Sequence, residues 1–296
     1  MTGNAVELIE KIDMQLKIDL QVTKGGMLRK YTTERNLDKE LNYKGFIRGS
    51  AKTRGTPLNL YTASEGEFDG YKTKSYEIPT FPVYSYEVLE HKDWKTMAIS
   101  KVSDYTVAFA EAMDCAEDVT IVNAIESNLD INSDDLSGND ITAEAVWRVF
   151  IQKLATAQAI NSARLQLAGG SKCSTWMHVT DYAALVSVPT FMNSDYRTSL
   201  TIDGLTTQMI GGVPVETFTE YDVAQGGANV AVAPGTLYVV TNGAIEFVHR
   251  PSSSDASSKY DPFNSHRILI SMTKDMGAKV VYPKNIWKLT FDAQTV

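Results

Sequence analysis

CSTWMHVTDYAALVSV, residues 173–188, followed by MIGGVPVETF, residues 209–218, is the stretch on which the fold class turns. CSTWMHV (173–179) is apolar and β-branched with no breaker, which reads as a buried strand. Residues Thr180 to Val186 read as a short helix, and 209–218 as a return to strand. Downstream, ANVAVA (228–233), TLYVVTN (236–242) and AIEFVHR (244–250) continue the strand pattern.

Upstream, Val146, Phe150, Leu154, Ala157 and Ile160 repeat at helical spacing and predict a helix from about Thr142 to Arg164. Asp140 or Thr142 can cap it, and Gly169-Gly170 ends it. Leu129–Asp140, LDINSDDLSGND, reads as a helix-connecting acidic loop. Before it lies the strongest helix in the sequence, predicted over 98–127. Its apolar face is Val102, Tyr105, Phe109, Ala112, Ala116, Val119 and Val122, about 35 Å long at 1.5 Å per residue. YEIPTFPVYSYEVLE (76–90), with Pro79 and Pro82, reads as an edge strand.

At the C-terminus, PSSSDASSKYDP (251–262) reads as a polar loop. HRILISMTKDMGAKVVYPKNIWKLTF (266–291) reads as two strands turning at Asp275–Ala278, so that Arg267–Thr273 faces Lys279–Tyr282. Helices and strands come in separate runs, so the class is α+β rather than alternating βαβ. No solenoid repeat is present.

Residues 1–40 are polar and weakly periodic, too marginal to form a core, and read as an arm. Gly45–Tyr76 is glycine-rich and reads as a long hairpin. Two arms of about fifteen residues would reach roughly 50 Å, and an isolated ribbon is barely stable in water. Such a hairpin needs a surface to lie on, either its own core or a neighbouring subunit.

The chain has 296 residues, a formal charge of −8, 43% apolar and 22% charged residues, which is a globular composition. The acidic balance argues against sequence-reading of nucleic acid. The first twenty residues lack the apolar block of a secretory signal. The longest uncharged stretch, Gln225 to Ile245, is cut by Pro234-Gly235 and Asn242-Gly243, so no membrane span is expected.

No motif points to catalysis, a metal or a cofactor. Cys115 and Cys173 have no partner motif and read as small buried residues. Gly169-Gly170-Ser171-Lys172 has the wrong order for a phosphate loop. Asp130, Asn132 and Asp134 start like a calcium loop, but Asp135 stands where a glycine is required and Ile141 where the bidentate Glu should be. His91, His178, His249 and His266 show no metal-ligand spacing, and His178 reads as a hydrogen-bonded core histidine.

Charge placement is more informative. Lys44, Arg48, Lys52, Arg54, Lys72 and Lys74 stand against Glu65, Glu67 and Asp69 in the hairpin stretch. The long helix carries Asp104, Glu111, Asp114, Glu117, Asp118 and Glu126 with no Lys or Arg from Val102 to Glu126. A basic arm and an acidic helix face are complementary. If they meet between subunits they set register and speed encounter. The expected inter-subunit contacts are therefore Lys44, Arg48, Lys52, Arg54, Lys72, Lys74, Asp104, Glu111, Asp114, Glu117 and Asp118.

The order of these segments, together with 173–188, 209–218 and the closing strands 266–291, resembles the major capsid proteins of tailed bacteriophages. Their shell fold is shared with encapsulins and herpesvirus capsid floors. The resemblance implies an N-terminal arm (1–44) and an extended loop (45–80). It implies a peripheral domain (81–140 and 244–296) that includes a spine helix (98–127), and an axial domain (141–243). It also implies pentamers and hexamers that build an icosahedral shell around double-stranded DNA. Expected partners are further copies of the chain, a separate scaffolding protein, a portal at one vertex and a cement or decoration protein. The expected location is the virion, with assembly in the host bacterial cytoplasm. No processing, covalent cross-link, enzymatic activity or cofactor is expected. The alternatives are an encapsulin-type compartment enclosing an enzyme, and an unrelated soluble enzyme.

Overall fold

The computed structural model describes residues 26–37, 42–48, 73–90, 99–168, 173–188, 197–202, 205–219, 231–250, 255–261 and 267–293. Among the described residues, after a 3-10 turn at Arg29–Tyr31, come β1 (Thr33–Asn36), β2 (Asn42–Arg48), β3 (Thr73–Pro79), β4 (Phe81–Glu90) and the long helix α1 (Ile99–Glu126). Then come β5 (Asn132–Asp140), α2 (Glu144–Ala168), β6 (Cys173–His178), α3 (Val179–Ser187), β7 (Arg197–Ile202), β8 (Leu205–Ile210) and β9 (Val213–Phe218). β10 (Thr236–Thr241), β11 (Ile245–His249), β12 (Asp255–Asp261), β13 (Arg267–Val280) and β14 (Ile286–Asp292) complete the described elements.

Two sheets organise the molecule. The first is built on β13, a single unbroken 14-residue strand. The expected turn at Asp275–Ala278 is overturned. Residues 267–276 pair with β4, 267–273 with β12 and 276–280 with β11, all antiparallel. Because β4 and β12 share the segment 267–273, they lie on opposite edges of it. A strand held on both edges satisfies its backbone groups without folding back, which is what the hairpin reading would have required. Residues 255–261 are β12 rather than polar loop for the same reason. β1 closes this sheet, parallel to β11.

The second sheet runs β5-β14-β10-β6-β9-β8-β7. Its centre is the fully buried β6 and the apolar β10, as CSTWMH and TLYVVT predict. MIGGVPVETF is not one strand but the turn of a hairpin. Gly211 and Gly212 both have positive φ, +58° and +77°, the two-residue turn that matches strand twist and places Ile210 against Val213. Residues 231–233, expected as strand, are not in one. The acidic segment 132–140, expected as loop, is β5, parallel to β14. Asn132 Nδ2 donates to the carbonyls of Lys284 and Ile286 at 2.9 and 3.1 Å, pinning the start of that pairing. Strands β5 and β14, expected with the peripheral strands, thus sit in the same sheet as β6 and β10.

α2 starts where Asp140 Oδ1 accepts the N–H groups of Thr142 and Ala143, at 2.9 and 3.1 Å, and covers one face of the second sheet through Val146, Phe150, Leu154 and Ala157. His178 caps α3, its Nδ1 accepting from the Thr180 N–H. α1 lies on the first sheet, and its buried Phe109, Met113, Ile121, Val122 and Ile125 join Met272 and Met276 of β13 with Trp176, Phe218 and Tyr238 of the second sheet in one core. β2 and β3 form an antiparallel ribbon, in register from Asn42↔Pro79 to Arg48↔Thr73. Residues 49–72, between its strands, lie outside the described residues, as do 1–25.

Candidate functional site

The expected contact residues fall into three groups. Lys44 is exposed on the ribbon and pairs with Glu77 of β3 at 3.4 Å. Arg48 and Lys74 hold register positions opposite Thr73 and Ile47, while Lys52, Arg54 and Lys72 lie outside the described residues. On α1, Asp104 is within the helix, Glu111 is exposed and Asp114 half-buried.

Glu117 and Asp118 correct the reading of an acidic surface. They are 0% and 1% exposed, and this chain's own residues cover them. Glu117 accepts the Gly26 N–H at 2.8 Å, and Asp118 accepts those of Leu28 and Met27 at 2.9 and 3.2 Å. Three successive N–H groups leading into the short 3-10 turn Arg29–Tyr31 are thus taken by two successive carboxylates of another element. Glu117 also forms an ion pair with the buried Lys274 of β13 and has Arg29 at 3.7 Å. Gly26 lies flush on the helix. A Cβ there would sit 2.5 Å from Asp118 Oδ1 and 2.7 Å from the Asp114 carbonyl.

The other end of the segment meets the second sheet. Tyr31 OH donates to Glu216 of β9 at 2.5 Å, and Lys30 pairs with the same carboxylate at 2.7 Å. The Tyr31 ring lies 6.5 Å from Trp176 of β6, which lies 6.4 Å from Tyr238 of β10. Burial, then the Glu216 hydrogen bond, pushes the Tyr31 phenol far up. Gly26–Tyr31 therefore bridges α1 and the second sheet.

The electrostatics follow from this crowding. Burial pushes the Asp118 carboxyl up to about 7 against the pull of its two main-chain hydrogen bonds. Asp114 is raised to about 6 by burial and then by the Glu117 charge. His249 of β11 is lowered to about 4, by burial first and then by Arg29 and Lys274. The Arg29 hydrogen bond holds Glu34 below the usual carboxylate range.

The bridge residues Gly26, Tyr31, Glu216 and Lys274 were missed from the sequence. One signal was available. Met272, Lys274 and Met276 alternate on one face of a strand, so a lysine at the inward position demanded a buried anion.

Among the described residues no cluster of three or more His, Cys, Asp or Glu could hold a metal ion, and both cysteines are buried and outside any disulfide. No described helix is long and apolar enough to cross a membrane. Phe81, Tyr84 and Val88 of β4 are exposed apolar side chains, Tyr84 and Val88 on one face of the strand and Phe81 on the other.

No protein-family model and no curated protein matches the chain. Solved structures do. A virus-like particle from Pyrococcus furiosus is 13% identical, with 94% of this chain and 97% of that one covered at a TM-score of 0.59. The capsid of Ralstonia phage GP4 is 9% identical over 90% and 88%, with a TM-score of 0.59. The capsid of a native GTA particle is 15% identical over 90% of each chain, with a TM-score of 0.57. With the two sheets and the long helix described above, this near-complete coverage shows that the chain has the fold of the tailed-bacteriophage major capsid proteins.

Proposed function

We propose that this chain is the shell subunit of a viral capsid, assembling as pentamers and hexamers into an icosahedral shell around double-stranded DNA. The observation that carries the reading is coverage of about nine-tenths or more of both chains against particle and capsid structures, so that the whole subunit is accounted for and not one shared module. In this reading residues 1–44 are the arm and 45–80 the extended loop. The first sheet with α1 is the peripheral domain, and 141–243 joined by β5 and β14 is the axial domain. Lys44, Arg48, Lys52, Arg54, Lys72 and Lys74 face neighbouring subunits, and Asp104, Glu111 and Asp114 provide the opposite charge. A scaffolding protein, a portal and a cement or decoration protein are the partners such a shell takes, and the virion is its location. Many modest interfaces multiplied over a lattice hold it together.

Electron microscopy of the purified chain, produced with and without a candidate scaffolding protein, tests this beside mass by light scattering. Closed icosahedral particles or capsomers are expected. A homogeneous monomer or dimer under every condition would overturn the reading.

A further inference from the structure

We propose that Gly26–Tyr31 is a releasable clasp. Docked on α1 by Glu117 and Asp118 and on β9 by Glu216, it opens while the two sheets stay folded. Three observations carry this. The segment is short and tied mainly by polar contacts, with only Leu28 and Tyr31 buried as apolar anchors. Segments with so few apolar contacts open at a lower free-energy cost than core strands. Its α1 end rests on buried carboxylates that accept main-chain N–H groups, so docking answers to their protonation. Gly26 leaves no space for a side chain between clasp and helix.

The charges acting on Asp118 are Glu117 and Asp114, with Cys115 beside it; around those two acids lie Glu111 on α1, Arg29 in the clasp and Lys274 on β13, and His249 on β11 and Glu34 on β1 stand against Arg29 and Lys274. Asp118, covered by the clasp, and Asp114, one turn away on α1, are both raised by burial, to about 7 and about 6. Opening returns them toward the ordinary 3.8, so loss of their protons as pH rises favours the open clasp. His249 acts the other way. It is held neutral to about 4 while docked, and an open clasp lets it take a proton below its ordinary 6.5. Between about pH 6 and pH 8 two carboxyls outweigh one imidazole, so the clasp opens more readily at the higher pH.

The test is backbone amide exchange of the full chain near pH 6 and pH 8, corrected for intrinsic exchange and read by mass spectrometry over residues 26–28, with Val239 and Val240 of the buried β10 as reference. Clasp amides are expected to be less protected than the β10 amides, and their protection to fall roughly fivefold from the lower to the higher pH. Asp118→Asn is expected to abolish that fall. Gly26→Ala is expected to lower clasp protection at both pH values and leave β10 unchanged. Clasp amides as protected as β10 at both pH values, a fall that persists in Asp118→Asn, or a Gly26→Ala that spares the clasp or loosens β10 with it, would each overturn the proposal. Should Asp118→Asn fail to fold, Gly26→Ala decides alone.

Discussion

Lys274 is 1% exposed on the inward face of β13 between Met272 and Met276, and it pairs with the equally buried Glu117. Desolvating two charges costs several kcal/mol each, so the pair's net contribution is small, but removing one partner strands the other. Lys274→Met is therefore expected to destabilise the unassembled subunit by about 3 kcal/mol, measured by urea unfolding, with Arg29 at 3.7 Å limiting the loss. Adding Glu117→Leu should recover only part, since the Gly26 N–H then loses its acceptor. His249 gives a second expectation. Its folded value of about 4 lies below the ordinary 6.5, so the unfolded chain binds its proton first on acidification. The stability this contributes is present above pH 6.5 and is lost as pH falls toward about 4. His249→Gln should thus lose less stability than the parent across that window, as read from unfolding midpoints at stepped pH. Equal slopes would mean that the imidazole is not held neutral by its surroundings.

At the scale of elements, periodicity and propensity fixed what had local causes. α1 was predicted over 98–127 and spans Ile99–Glu126, and α2, β6, α3, β10 and β11 lie within a few residues of their predicted ranges. The failures share a cause, which is strand pairing that local composition does not show. NSDDLSGND has loop composition yet becomes β5 because β14 offers it a parallel edge, and DASSKYD becomes β12 because β13 is long enough to pair with it. The Asp-Met-Gly-Ala text suggested a turn, but Gly277 serves another purpose. A Cβ there would lie 2.3 Å from the Pro79 carbonyl oxygen, so the glycine lets β3 approach β13. Gly277→Ala should cost roughly 1–3 kcal/mol by forcing these backbones apart, measured as a lowered unfolding midpoint. A neutral result would show that the junction yields without cost. On α1, the acids were visible but their burial was not, because a clasp segment 90 residues away decides it.

For the whole molecule, burying Glu117 and Asp118 changes the electrostatic account of assembly. The acidic surface of α1 contracts to the exposed Glu111, the half-buried Asp114 and an exposed Glu126 that pairs with Lys288, with Asp104 further along the helix, while the basic ribbon keeps an exposed Lys44 and the β2 position of Arg48. Complementarity between subunits, if it drives assembly, then rests on few charges and is screened within about 10 Å at ordinary salt. Such contacts act more on encounter and register than on final affinity. Arg48→Glu with Arg54→Glu is expected to slow assembly several-fold at low salt, followed by light scattering, with circular dichroism unchanged. The deficit should shrink as salt rises, because the repulsion introduced is screened like the attraction it replaced. Adding Glu111→Lys should restore part of the rate if ribbon and helix meet across the interface. Assembly at the parent's rate in the double mutant would remove electrostatics from the account, and a deficit that Glu111→Lys leaves untouched would put the ribbon against a different acidic surface.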